Sequence, residues 1–113
     1  MPALNVVKPP VDIIEEADRF TVIVDLPGVE PEDVEIKGYD NYIQISGIKR
    51  PICAGNYLLM ERFSGKFNRK IYFKTGVDLS KATARLKNGV LTIHIPKSKG
   101  KIYYSTTTII IRR

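Results

Sequence analysis

Hydrophobic and polar positions alternate with a period of two over most of the chain, the pattern of strands with one face buried. Val11 and Ile13 flank Asp12 after the Pro9-Pro10 break. Phe20, Val22, Val24 and Leu26 share one face, with Thr21, Ile23 and Asp25 on the other. Val34 and Ile36 alternate with Asp33, Glu35 and Lys37, and Ile43 and Ile45 alternate with Tyr42, Gln44 and Ser46. Phe67, Arg69, Ile71 and Phe73 form another such set, and Leu91, Ile93 and Ile95 a last one. Turn signals separate the runs: Pro27-Gly28, Gly38, Asp40-Asn41, Gly47, Gly55-Asn56, Ser64-Gly65, Gly76 and Asn88-Gly89. Asn88-Gly89 lies between Ala82–Lys87 and Val90–Ile95, the composition of a two-residue hairpin turn.

No window carries a sustained 3.6-residue repeat. Single helical turns are predicted at Glu30–Asp33, where Pro31 suits a first turn, and at Asp78–Lys81. Many short strands punctuated by turns predict an all-β fold, an antiparallel immunoglobulin-like β-sandwich. After Pro96-Lys97 the chain reads as a polar tether, Ser98 to Thr108, ending in the β-prone tip Ile109-Ile110-Ile111.

Composition narrows the function. The 113 residues are 43% hydrophobic and 27% charged, one domain's worth of ordinary globular chain. No apolar run approaches a membrane span, and Met1–Asn5 lacks the pattern of a signal peptide, so the expected setting is cytoplasmic with no membrane partner. One cysteine, Cys53, and one histidine, His94, leave no material for a disulfide or a Cys/His metal site. His94 has the parity opposite to Leu91, Ile93 and Ile95 and is expected on a strand surface. Cys53 stands in the Arg50–Asn56 loop with no histidine near it in sequence. No glycine-rich phosphate loop precedes a helix. No enzyme, cofactor or metal is therefore expected.

The net charge of +6 hides a segregation: residues 1–40 carry −7 and residues 41–113 carry +13. Such a chain can attract another copy, or these charges are simply solvated strand faces. The basic part raises nucleic-acid binding. Lys66, Arg69, Lys70, Lys74, Arg85, Lys87 and the Lys97/Lys99/Lys101 cluster can reach phosphates, and Tyr72, Tyr103 and Tyr104 can stack on bases. Against it stand the acids of the first third, expected to border the same surface, and the lack of an RNA-binding signature, so no nucleic-acid partner is expected. Val34, Ile36, Ala84 and Leu86 line either a groove at a sandwich edge or ordinary core. Ile109 and Ile111 are correspondingly either a tail that fills such a groove by strand addition or a final strand of the same domain.

Three blocks of residues resemble the α-crystallin domain of small heat-shock proteins. The first is Pro10–Glu15 with Phe20–Asp25, Leu26-Pro27-Gly28-Val29 and Glu32-Asp33-Val34. The second is Tyr57 with Glu61-Arg62-Phe63-Ser64-Gly65-Lys66-Phe67-Asn68-Arg69. The third, Ala84 to Lys97, is similar to the family's A-x-L-x-N-G-V-L-x-I-x-x-P-K signature, and Ile109-Ile110-Ile111 resembles its I-x-I tail. The chain departs from the pattern in its short arm, Met1–Pro9, and in Phe73-Lys74 where the family usually has Leu-Pro.

The resemblance implies a domain over 10–97, an extension over 98–113, and an ATP-independent holdase that binds partly unfolded clients. It also implies a homodimer, with further assembly through the tails. In the prokaryotic-type members that it resembles, the loop after the Ile43–Gly47 strand carries a strand that pairs with the partner subunit. Here that strand is Leu58, Leu59, Met60, Glu61 and Arg62, and its expected partner is the other copy's Val11–Ile14 strand, with Val11 and Ile13 at the interface. Leu58–Met60 is too apolar for a free loop, and a free edge is a hazard unless paired. The tail's Ile109 and Ile111 are expected in the Val34/Ile36/Ala84/Leu86 groove of another dimer. A CS-domain co-chaperone adaptor shares the sandwich, but it needs neither the exchanged strand nor the tail.

Overall fold

Each alternating run becomes a strand in the computed structural model, which describes residues 6–99 and 106–113. The strands are β1 (Val11–Glu15), β2 (Arg19–Asp25), β3 (Val34–Tyr39), β4 (Tyr42–Lys49), β5 (Gly65–Tyr72), β6 (Thr83–Lys87), β7 (Val90–Pro96), β8 (Thr107–Ile109) and β9 (Ile111–Arg112). The two helical turns are short 3-10 segments, Pro31–Asp33 and Leu79–Lys81. Asp78 caps the second by accepting hydrogen bonds from the Ser80 backbone N–H and hydroxyl, at 3.2 and 2.5 Å.

The strands form a sandwich of two sheets, ordered β1-β2-β7-β6-β9 and β5-β4-β3-β8. All pairings are antiparallel except β6 with β9. The core is the sum of the inward faces read from parity: Val22 and Val24 of β2, Ile36 of β3, Ile43 and Ile45 of β4, and Leu91, Ile93 and Ile95 of β7. Phe20 and Phe73 close one end, with ring centroids 5.0 Å apart. The β6–β7 hairpin turns at Asn88 and Gly89, whose φ values of 54° and 76° are the left-handed pair that such a turn demands.

Gly47 lies opposite Val34 in the β3–β4 ladder. A Cβ there would sit 2.1 Å from the Asp33 carbonyl oxygen, so only glycine lets β4 pass under the 3-10 turn.

Parity misses one feature of β2. Thr21 belongs to the face expected to be outward, yet it is buried. Glu16 on one side and His94 of the neighbouring β7 cover its hydroxyl and hydrogen-bond to it.

Candidate functional site

The last two strands decide what the sandwich edge is. Along one edge the two sheets part between β3 and β6, and the chain's own C-terminal segment lies in that gap. β8 pairs with β3, setting Ile109 opposite Ile36, and β9 pairs with β6, setting Ile111 opposite Ala84. Ile109 is 3% exposed and Ile111 packs partly buried against the same core. Ile110, between them, points outward. Alternation along an extended segment is the cause: residues two apart share a face.

Val34, Ile36, Ala84 and Leu86 are all buried in this arrangement. In the single chain they belong to one core cluster with Ile109, Ile36 standing opposite Ile109 and Ala84 opposite Ile111. Segment 98–113 thus supplies two strands to the chain's own sandwich. That these edges form a groove which the tail can vacate, and that the tail has a receptor on another dimer, belong to the proposal below.

The tail is held by little. β8 and β9 are three and two residues long. Beyond them Arg113 pairs with Glu32 and, at 3.5 Å, with Glu30, the two carboxylates beside the first 3-10 turn. The Glu32 carboxyl is held below its ordinary range, first by a hydrogen bond from its own backbone N–H and then by Arg113. All three side chains are exposed, so the latch is a solvent-screened one.

The second candidate surface is in two pieces. Residues 50–64 form no strand, and they carry Leu58 at 95% and Leu59 at 74% exposure, with Ile52 and Met60 also exposed. Glu61 and Arg62 are exposed beside them. On the other sheet, β1 is an edge strand paired only with β2, and it shows Ile13 at 49% exposure while Val11 packs against the core. Within one chain the structure does not pair Leu58–Arg62 with Val11–Ile14. Both remain apolar surfaces facing water.

The remaining candidates are Cys53 and His94. Cys53 is exposed, its sulfur 3.9 Å from the Tyr57 hydroxyl. His94 Nδ1 lies 3.1 Å from Thr21 Oγ1, which donates to Glu16 at 2.5 Å. With its one proton committed to Glu16, the hydroxyl accepts from His94. The Thr21 hydrogen bond, with Arg19 and His94 adding to it, holds the Glu16 carboxyl below its ordinary value. This chain ties β2 to β7 on the outer face. It was not legible in advance, because the register that sets Thr21 opposite His94 is a tertiary fact. Tyr103, Tyr104 and Lys101 lie outside the described residues. Among the described residues no cluster of His, Cys, Asp or Glu has the make-up of a metal site. No helix among them is long and apolar enough to cross a membrane.

The sequence model described as the Hsp20/alpha crystallin family matches residues 12–112. The chain belongs to that family of small heat-shock proteins. Small heat shock protein C4 of Rickettsia felis is 34% identical over 98 residues, which is 84% of this chain and 60% of that one. The 18 kDa heat shock protein of Clostridium acetobutylicum is 37% identical over 97 residues, 80% of this chain and 64% of that one. Among solved structures, a small heat-shock protein from Xylella fastidiosa superposes with a TM-score of 0.73 at 31% identity, covering 91% of this chain and 95% of that one. That structure is described as revealing a distinct high order structure. The α-crystallin sandwich is thus the fold of this small heat-shock protein. The chain spans about three fifths of the length of these two curated relatives.

Proposed function

We propose that the chain is an ATP-independent holdase whose client site is the β3/β6 groove, occupied at rest by its own tail. The observation that carries this reading is the contact between sheet edges and tail. The edges of β3 and β6 meet an extended segment with alternate apolar side chains, paired to them over only three and two residues and followed by exposed ion pairs. An unfolded client offers the same thing, an extended backbone with alternate apolar side chains.

Magnitudes favour exchange over permanent closure. Burying each isoleucine contributes about 1.5–3 kcal/mol gross, before the cost of ordering the tail. A net of about 4 kcal/mol corresponds to about millimolar strength for a lone tail in trans. Such a tail leaves often enough for a client to enter. Several tails exchanged between copies would hold an assembly by avidity while each still comes and goes.

The dimer belongs to the same proposal. Leu58–Arg62 of one copy adds to the open β1 edge of the other, covering Ile13 and Leu58–Met60 together. Its chemistry requires no nucleotide, metal or cofactor: the driving force is burial of apolar client surface.

The test is suppression of light scattering by a heated client protein, with and without ATP. Equal protection in both is expected. Protection that requires ATP hydrolysis by this chain would overturn the reading.

A further inference from the structure

The outer face of the β5-β4-β3-β8 sheet carries a row that the holdase reading does not use. Tyr39 of β3, Tyr42 of β4 and Tyr72 of β5 occupy one register line across three adjacent strands. Tyr39 and Tyr42 stack with centroids 4.9 Å apart at 20°, and Tyr42 meets Tyr72 at 4.9 Å and 31°. The row is therefore a run of contacting rings, Tyr39 stacked on Tyr42 and Tyr42 tilted against Tyr72, and its last ring, Tyr72, is 63% exposed. Lys70 holds its ammonium 5.7 Å from the Tyr42 ring centre.

Tyr72 also lines a groove of about 570 Å³ along the outer edge of β5, together with Lys8, Asn68, Arg69 and Lys70. Lys8, Lys66, Arg69 and Lys70 take part in no ion pair among the described residues. β4 and β5 contain no acidic residue at all. Of the acids expected to border this surface, those of β1 and β2 lie in the other sheet, while on this sheet Glu35 of β3 pairs with Lys37 at 3.8 Å and Asp40 stands in the turn after Tyr39. The residues Val6–Lys8 cover the β5 edge only near Phe67, where Val7 exchanges backbone hydrogen bonds with Lys66 and Asn68 at 3.2 and 3.0 Å. Alternation turns the backbone N–H groups of Lys70 and Tyr72 toward that same edge.

We propose that this edge binds single-stranded nucleic acid, with one base extending the Tyr39–Tyr42–Tyr72 row and the flanking phosphates held by Lys8, Arg69 and Lys70. Exposed sheet-borne aromatics beside a basic groove are the device by which single strands are held without sequence readout. Charge complementarity alone would admit an acidic polypeptide equally. The exposed end of an aromatic row favours a ligand that itself has π-faces. A duplex keeps its bases stacked inside and cannot offer one to Tyr72.

The experiment is fluorescence-anisotropy titration of the full chain with labelled oligo(dT)12, repeated across a salt series. Saturable binding is expected, weakening as salt rises. Tyr72→Ala should weaken it about 5- to 150-fold, the range of one lost base–aromatic stack. Tyr72→Phe should retain wild-type affinity, which separates stacking from folding. Arg69→Ala and Lys70→Ala should each lower the log–log salt slope by about 0.7. Arg85→Ala and Lys87→Ala, on β6 of the other sheet, should leave binding unchanged. Three results would each overturn the proposal: no saturable binding, equal affinity of Tyr72→Ala and wild type, or displacement by poly-glutamate of the same charge as effective as displacement by unlabelled oligomer. The last would make the edge an acceptor of acidic polypeptides instead.

Discussion

Ile109 lies directly across an antiparallel ladder from Ile36, and both side chains are buried in the core. A residue from the polar tail of the chain thus completes a packing layer begun on β3. The relationship makes the tail part of the sandwich, held there by two short strands, β8 and β9, and by the exposed Arg113 pairs.

Replacing both Ile109 and Ile111 by alanine should free the tail. A buried isoleucine truncated to alanine typically costs about 2–5 kcal/mol, more than so short a strand can lose and stay docked. The rest of the sandwich keeps its own ladders, so the loss is local opening and not global unfolding. Amide exchange at Ile36–Gly38 should accelerate while β2, β4 and β7 stay protected. Any assembly larger than a dimer should dissolve in size-exclusion with light scattering. An unchanged mass together with unchanged exchange would mean that the tail contacts are not what they are taken to be.

Removing Ile52–Met60 should yield folded monomers. The segment lies outside every strand, so its loss leaves the core intact, while the proposed β1 partner disappears with it. Mass by light scattering decides: a deletion variant that stays dimeric contradicts exchange of this loop.

Acid and salt should both loosen the tail through Arg113. Glu32 has a folded-state pKa lowered by its backbone hydrogen bond and by Arg113. The contribution is therefore complete above the ordinary carboxylate range and is lost as pH falls through the depressed folded value. Salt weakens the same exposed pairs by screening. Arg113→Ala should make β3-edge exchange faster at neutral pH and insensitive to salt. Equal salt sensitivity in the variant would assign the effect to other charges.

Thr21→Val should raise the Glu16 pKa toward its ordinary value, because the hydroxyl is the largest cause of its depression. By the same sign rule, the Glu16 contribution to stability is present above the unfolded pKa and disappears as pH falls through the lower folded one. The variant should show a flatter acid limb in its stability profile. An NMR titration of Glu16 unmoved by the substitution would show that Arg19 and His94 set its acidity.

The parts of the fold legible in sequence are those fixed by local alternation and turn chemistry. Leu91, Ile93 and Ile95 had to face one way, and Asn88-Gly89 had to turn a hairpin. The two proline- and aspartate-led helical turns were legible for the same reason. What depends on register between distant strands was not. Nothing in the order of residues says that Thr21 meets His94, that three tyrosines fall on one line, or that Arg113 reaches Glu30 and Glu32. Parity showed that Ile109 and Ile111 share a face, but it is blind to which copy's groove receives them. The exposed Leu58 and Leu59 were legible as an anomaly, since apolarity without a partner shows in composition alone.

In the proposed mechanism the tail must leave the groove for a client to enter. Lys37 and Thr108 face each other across the same β3–β8 ladder, on the outward side and clear of the isoleucines. Directly opposed strand residues lie about 4.5–5.5 Å apart, within disulfide reach. In a Cys53→Ser background, Lys37→Cys with Thr108→Cys should form a bond that locks the tail down without touching the buried residues. The measurement is suppression of heated-client light scattering by this variant, oxidised and then reduced, with no nucleotide present. Protection is expected to be lost when the bond is closed and restored when it is opened. Equal protection in both states would show that clients bind elsewhere and that the groove is only the seat of a terminal strand.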